Sequence, residues 1–148
     1  MFIGNPLATS ANAFAVLECF HIAGFALAIG MTALVDFQLL GFRVLQQSPA
    51  RVASAFEWWT LGGLIIAVCS GLLIFSTDPD MYYRNWSFLL KMAALVIAIL
   101  FNYTIHRKAL SKELTTMSAG LIACVSLLLW TSVIFGGIFI AVVPPGLG

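Results

Sequence analysis

The chain has 148 residues, of which 61% are hydrophobic and 9% charged, and its mean hydropathy is +1.04. A soluble domain carries roughly a quarter of its residues charged, so this composition excludes a water-soluble globule, and its aliphatic content excludes a disordered chain. Seven Lys plus Arg against six Asp plus Glu leave a net charge of +1, which supplies no basic face for nucleic acid or for an acidic partner.

Four apolar stretches, 13–42, 58–75, 86–106 and 119–143, are long enough to cross about 30 Å of hydrocarbon at about 1.5 Å per residue. Barrel strands would alternate in facing, so these continuous runs predict helices. The expected fold is all-α: one transmembrane domain over 1–148, a four-helix bundle in the lipid bilayer. The N-terminus lacks a basic region and the first run is too long for a signal core, so no cleavable signal peptide is expected.

The first span carries Glu18, His21 and Asp36, with Arg43 at its boundary. Ser48 and Pro49 then read as an N-cap and a first-turn proline, which starts the second helix ahead of Trp58. That helix holds Gly62, Gly63 and Gly71. The next connection has Asp78, Asp80 and Arg84; the third span has Lys91, Asn102 and His106; Arg107, Lys108 and Lys112 follow. The fourth span carries Trp130, Gly136 and Gly137 and stops at Pro144, Pro145 and Gly146.

Basic residues cluster in the first and third connections, so the positive-inside rule places those in the cytoplasm and both termini on the periplasmic side. Trp58, Trp59, Trp86, Tyr82 and Tyr83 fall at span ends, as interfacial rings do, whereas Trp130 is expected to be buried. The glycines of the second and fourth helices offer close-packing faces, which predicts a homo-oligomer or a subunit of a larger complex. Cys19, Cys69 and Cys124 are odd in number and sit in apolar runs, so no disulfide framework is expected.

Ionisable residues inside spans are costly and mark functional places. At about 100° per residue, Glu18 and Asp36 point the same way and His21, Thr32 and Arg43 lie within about 60° of them. Lys91, Asn102 and His106 form a second stripe by the same rotation. The two helices run parallel. Matched by depth, Glu18, His21 and Lys91 share the outer half, with Glu18 and Lys91 as an expected ion pair. Asp36, Asn102 and His106 share the inner half, where Arg43, Arg107 or His106 would meet Asp36. Such pairs also serve as electrostatic clasps that fix helix register. His106, beside Arg107 and Lys108, reads as interfacial.

His21 has no basic neighbour on its own helix at that depth, and neutral imidazole is a common metal and haem ligand. Haem b on His21 would take Met92, Cys69, a second His21 or nothing as its other axial partner, with Gly24 making room for the macrocycle and Phe20 and Phe25 lining it. One haem cannot be shared by His21 and His106, since their depths differ by about 17–20 Å. A soft Cu(I) site of His21, Cys69 and Met92 is the alternative. No phosphate loop or nucleophile elbow is present.

The stretch HIAGFALAIGMTALVDFQLLGFR from His21 to Arg43, with FLLKMAALVIAILFNYTIHRKAL in the third span, resembles a broad group of small bacterial inner-membrane proteins of unknown function. That group looks related to the copper-resistance D (CopD) domain and, more distantly, to HemJ-type protoporphyrinogen oxidases. The shared features are a first-helix His followed by small residues, here His21 and Gly24, and a third-helix Lys, here Lys91. The first relation implies copper transport across the inner membrane. The second implies haem b on His21 and oxidation of a porphyrinogen with Lys91 needed for activity. The segment from Thr32 to Arg43 departs from the HemJ pattern, having an Asp-x-x-x-x-Gly-x-Arg character. The expected role is therefore a redox or cofactor-handling membrane protein with a haem b or metal site at His21, flanked by Glu18 and Lys91. Copper transport, or a non-catalytic subunit or assembly factor, stand as alternatives.

Overall fold

The structure, a computed structural model, describes residues 10–42, 45–110 and 115–142. Helix α1 spans Ala11–Leu39, with the Ser10 side chain accepting from the Ala13 amide. It ends before Phe42 because Gly41 turns the chain out of the helix at a φ of +90°, a backbone conformation that glycine adopts without steric cost. Helix α2 spans Pro49–Phe75. It begins well ahead of Trp58, as the Ser48–Pro49 pair predicts, since proline has no amide to lose in a first turn.

A short helix α3, Pro79–Tyr83, is capped by Asp78, whose carboxylate accepts from the Met81 amide at 3.1 Å. Helix α4 is one 25-residue span, Trp86–Leu110. It is α-helical over Trp86–Phe101, π-helical over Asn102–His106 and α-helical again over Arg107–Leu110. It therefore runs beyond His106. Asn85 starts it, accepting from the amides of Ser87 and Phe88, and its side-chain amide donates to the Ile140 carbonyl at 3.3 Å. Helix α5 spans Thr116–Val142. The boundary at Val143 and the stop at Pro144, Pro145 and Gly146 lie outside the described residues.

All four long helices are long and apolar enough to cross a membrane, and no more than 22% of any apolar window is buried against protein. The apolar surface therefore faces outward, as a multi-pass membrane protein requires. Helix α1 packs on α2 and α5, α4 packs on α5, and α2 approaches the last turn of α4. Helices α1 and α4 are thus opposite each other across the bundle, and their polar stripes meet at its centre. Between the two polar ends lies a dry core of Ala28, Leu64, Leu95, Ala98, Trp130 and Val133. Trp130 is 3% exposed, buried as expected.

The closest approach is a seam of small residues between α1 and α2. A Cβ placed on Gly24 would stand 2.7 Å from the Ala67 nitrogen and 2.8 Å from the Gly63 oxygen; one on Gly63 would stand 2.7 Å from the Gly24 oxygen and 2.8 Å from the Ala28 nitrogen. Gly24 with Ala28, and Gly63 with Ala67, are two small-xxx-small pairs facing each other, the arrangement that lets helix backbones touch in lipid. Of the five glycines expected to offer close-packing faces, four meet neighbours inside the bundle, while a Cβ on Gly62 would meet nothing within 4 Å. Gly63 meets α1, Gly71 meets the His21 ring, and Gly136 and Gly137 meet Lys91. The sequence basis for a self-associating glycine face is thereby removed at these four positions.

Gly24→Ala and Gly63→Ala are expected to lower stability by about 1–3 kcal/mol, the usual cost of overpacking a tight contact. Gly30→Ala meets nothing within 4 Å and is expected to be neutral or stabilising by up to about 1 kcal/mol, through helix propensity. Unfolding midpoints of the three variants in the same detergent check the order.

Candidate functional site

The seam fixes where His21 lies. It sits one turn before Gly24, so the antiparallel α2 presents Ala67, Ser70 and Gly71 to its ring. His21 Nδ1 is 2.8 Å from the Ala67 carbonyl oxygen and 3.2 Å from Ser70 Oγ. A carbonyl only accepts, so Nδ1 carries the proton and Nε2 has the lone pair. Lys91 Nζ, from α4, stands 3.2 Å from that Nε2 and donates to it. Ser70 Oγ in turn donates to the Ile66 carbonyl at 2.6 Å. Phe25 meets the imidazole edge-on at 4.9 Å, and Lys91 Nζ is 5.1 Å from the centre of the same Phe25 ring, a cation over an aromatic face.

Lys91 reaches this position because α5 has no side chains in its way. A Cβ on Gly136 would be 2.9 Å from Lys91 Cβ, and one on Gly137 would be 3.3 Å from Lys91 Nζ. His21 and Lys91 therefore meet, as the matched depths predict, but Glu18 does not join them. Glu18 is exposed, and among the described residues no ion pair links it to Lys91. The expected pairing fails because Lys91 is turned to the imidazole, whereas Glu18, three residues before His21, lies near Tyr82. Burial pushes the Tyr82 hydroxyl above its ordinary pKa, and the charges of Glu18 and Asp78 add to that rise.

At the opposite end, Asp36 is fully buried. Its Oδ1 is 2.7 Å from His106 Nε2, and its Oδ2 accepts from Ser126 Oγ at 2.7 Å. His106, expected at the interface, is only 3% exposed. Arg107, next in sequence, points outward to pair with Glu57 at 2.9 Å. Arg43 lies outside the described residues. Asn102 is half-buried and lines a cleft of about 280 Å³ between α1, α2 and α4, together with Thr32, Tyr103 and His106. It makes no hydrogen bond to Asp36. The π-helical stretch that begins at Asn102 bonds one residue further back than an α-helix does, which resets the facing of His106 relative to the helix before it.

Sequence reasoning missed Ser126, Ser70 and the Glu57–Arg107 pair. Ser126 shares one helix face with Trp130, Val133 and Gly137 by 3.6-residue rotation, so a face-by-face reading of the fourth span holds the signal. Ser70 is a lone hydroxyl beside Gly71 in an apolar run, which carries no such signal, because serine in a span most often bonds its own helix.

The structure does not gather the metal sets. Cys69 and Met92 are exposed, as are Cys19 and Cys124. Among the described residues, no group of three or more His, Cys, Asp or Glu is placed to hold a metal ion. Gly24, expected to make room for a macrocycle, is filled by the α2 backbone. Phe20 is 58% exposed and lines nothing around His21. Haem b does not fit the arrangement as it stands, because the Lys91 ammonium occupies the direction from which iron would approach Nε2.

A family model described as "Family of unknown function (DUF6644)" matches residues 2–143. No curated protein and no solved structure matches the chain.

His106→Ala is expected to cost about 3–5 kcal/mol, because it strands the buried Asp36 carboxylate. Ser126→Ala removes one neutral donor and is expected to cost about 1–3 kcal/mol. Arg107→Ala breaks only an exposed pair and is expected to cost no more than about 1 kcal/mol. Unfolding titrations in a single micelle type check this ranking.

Proposed function

Because the chain belongs to the DUF6644 family, whose description carries no function, we propose a role from geometry: it is a non-catalytic membrane component whose intramembrane ionisable side chains fix the order and register of its helices. One observation carries this reading. Each deep ionisable side chain is closed by a partner on another helix, His21 by Ala67 and Lys91 and Asp36 by His106 and Ser126. Among the described residues, no buried side-chain nitrogen or oxygen lacks a hydrogen bond. Buried polar groups that specify register are a documented use of such pairs. Partners in a larger assembly would then meet the outward apolar faces, where Gly62 also stands open, rather than Gly63, Gly71, Gly136 and Gly137, which are spent inside.

The membrane is the bacterial inner membrane in this reading, with both termini periplasmic. Arg51, Arg107 and Lys108 lie at one end of the bundle, while Asp78 and Asp80 offset Arg84 at the other, and basic residues stay on the cytoplasmic side. Copper transport has little to support it, since His21, Cys69 and Met92 do not converge.

One specific observation favours a second reading, haem b on His21. An imidazole whose Nδ1–H is held by a backbone carbonyl is oriented to offer Nε2 to a metal. Lys91 would first have to withdraw from that nitrogen.

Purification in mild detergent decides between these. The expected product is colourless and metal-free and migrates in a species larger than one chain, and His21→Ala lowers its unfolding midpoint without changing the spectrum. A Soret band that disappears in His21→Ala overturns this reading in favour of haem. Stoichiometric copper by elemental analysis overturns it in favour of transport, and a lone, partnerless chain removes the assembly role.

A further inference from the structure

The cleft at the Arg107 end is separate from the closed His21 cluster, and several of its hydrogen-bonding groups are unspent among the described residues. Ser54 and Thr60 line it from α2, and Asn102, Tyr103 and His106 line it from α4. Among the described residues, the side chains of Ser54, Thr60, Asn102 and Tyr103 make no hydrogen bond. His106 uses only Nε2, on Asp36. Thr32, by contrast, is already bonded to the Ala28 carbonyl at 2.9 Å. Ser54 and Tyr103 are exposed and Thr60 and Asn102 half-buried, so these groups are open to a molecule that enters the cleft.

Asp36 is hydrogen-bonded to His106 and Ser126, and Glu57 is paired with Arg107, so nothing calls for a charged ligand. The remaining walls are apolar, with Val35, Phe56 and Leu110 among them. At about 280 Å³, the space falls just below the range of about 300–1,000 Å³ that holds drug-sized ligands, so it suits a single ring. Polar groups stand on two walls, α2 and α4, which matches a ring with oxygens at opposite ends.

We infer that this cleft binds the head group of a lipid-soluble quinone or its quinol. The α2 hydroxyls meet one oxygen, and Asn102 with His106 meet the other. Both forms are met: with Nε2–H given to Asp36, His106 Nδ1 accepts from a quinol hydroxyl, and the Asn102 side-chain amide donates to a quinone carbonyl. Asp36 and Ser126 hold the ring in place and act as positioning residues. The inference concerns binding alone and is independent of what His21 does.

The test uses the full chain in lipid nanodiscs, titrated with decyl-ubiquinone against empty nanodiscs. Ala53→Phe fills the cleft from α2, Asn102→Leu removes a donor from α4, and Ile65→Phe, on an outward face, is the control. Saturable one-to-one binding is expected in the wild type and in Ile65→Phe. Affinity should fall at least about tenfold in Ala53→Phe, and by about the same factor in Asn102→Leu. Unfolding midpoints within a few degrees of wild type confirm that each variant is folded, and either substitution alone suffices as the test if the other fails. Uptake no greater than that of empty nanodiscs, or equal affinity in wild type, Ala53→Phe and Asn102→Leu, overturns the inference.

Discussion

Everything at the His21 end depends on two backbones touching. In lipid there is no hydrophobic drive to bring helices together, so close packing and interhelical hydrogen bonds must do it. The facing pairs Gly24/Ala28 and Gly63/Ala67 let α1 and α2 approach until a methyl group has no room. That approach carries the His21 imidazole to the Ala67 carbonyl, which sets its tautomer and aims Nε2 at Lys91. The two glycines on α5 then let the lysine stem lie flat. A histidine that looked stranded in its own helix is thus the meeting point of three helices.

The same physics governs the other end with different chemistry. Asp36 brings a carboxylate where no water reaches, and such a group is tolerable only when hydrogen-bonded and paired. His106 and Ser126 provide both, from α4 and α5 respectively. The apolar core of Ala28, Leu64, Leu95, Ala98, Trp130 and Val133 separates this cluster from His21 and Lys91. The two clusters are therefore independent clasps at the two ends of the bundle rather than steps of one continuous path.

The ends differ in what they leave open. At the His21 end both ring nitrogens are engaged and the glycine surface is covered by backbone. At the Arg107 end a cleft between α1, α2 and α4 keeps polar groups on its α2 and α4 walls without partners among the described residues. A π-helical stretch lies on one of those walls, a feature that often accompanies functional sites. A closed clasp and an open cleft can thus sit in one small bundle, because a four-helix ring needs only three tight edges to hold its shape.

Sequence alone determined the class and the approximate spans, because the hydrocarbon thickness and the helix rise leave little freedom once 61% of the residues are hydrophobic. Depth counting also matched His21 to Lys91 and Asp36 to His106, since parallel helices share a ruler. It did not decide facing or partners to better than a third of a turn, so Glu18 was expected on Lys91, and His106 at the interface. Those outcomes belong to the tertiary structure. The Gly24–Gly63 contact sets the rotation of α2 against α1, the π-helical stretch resets His106, and Ser126 enters from a helix whose apolar face gave its hydroxyl no distinguishing charge. Which groups meet inside lipid is settled by rotations of tens of degrees, and those follow from backbone packing that a linear pattern of residue types does not encode.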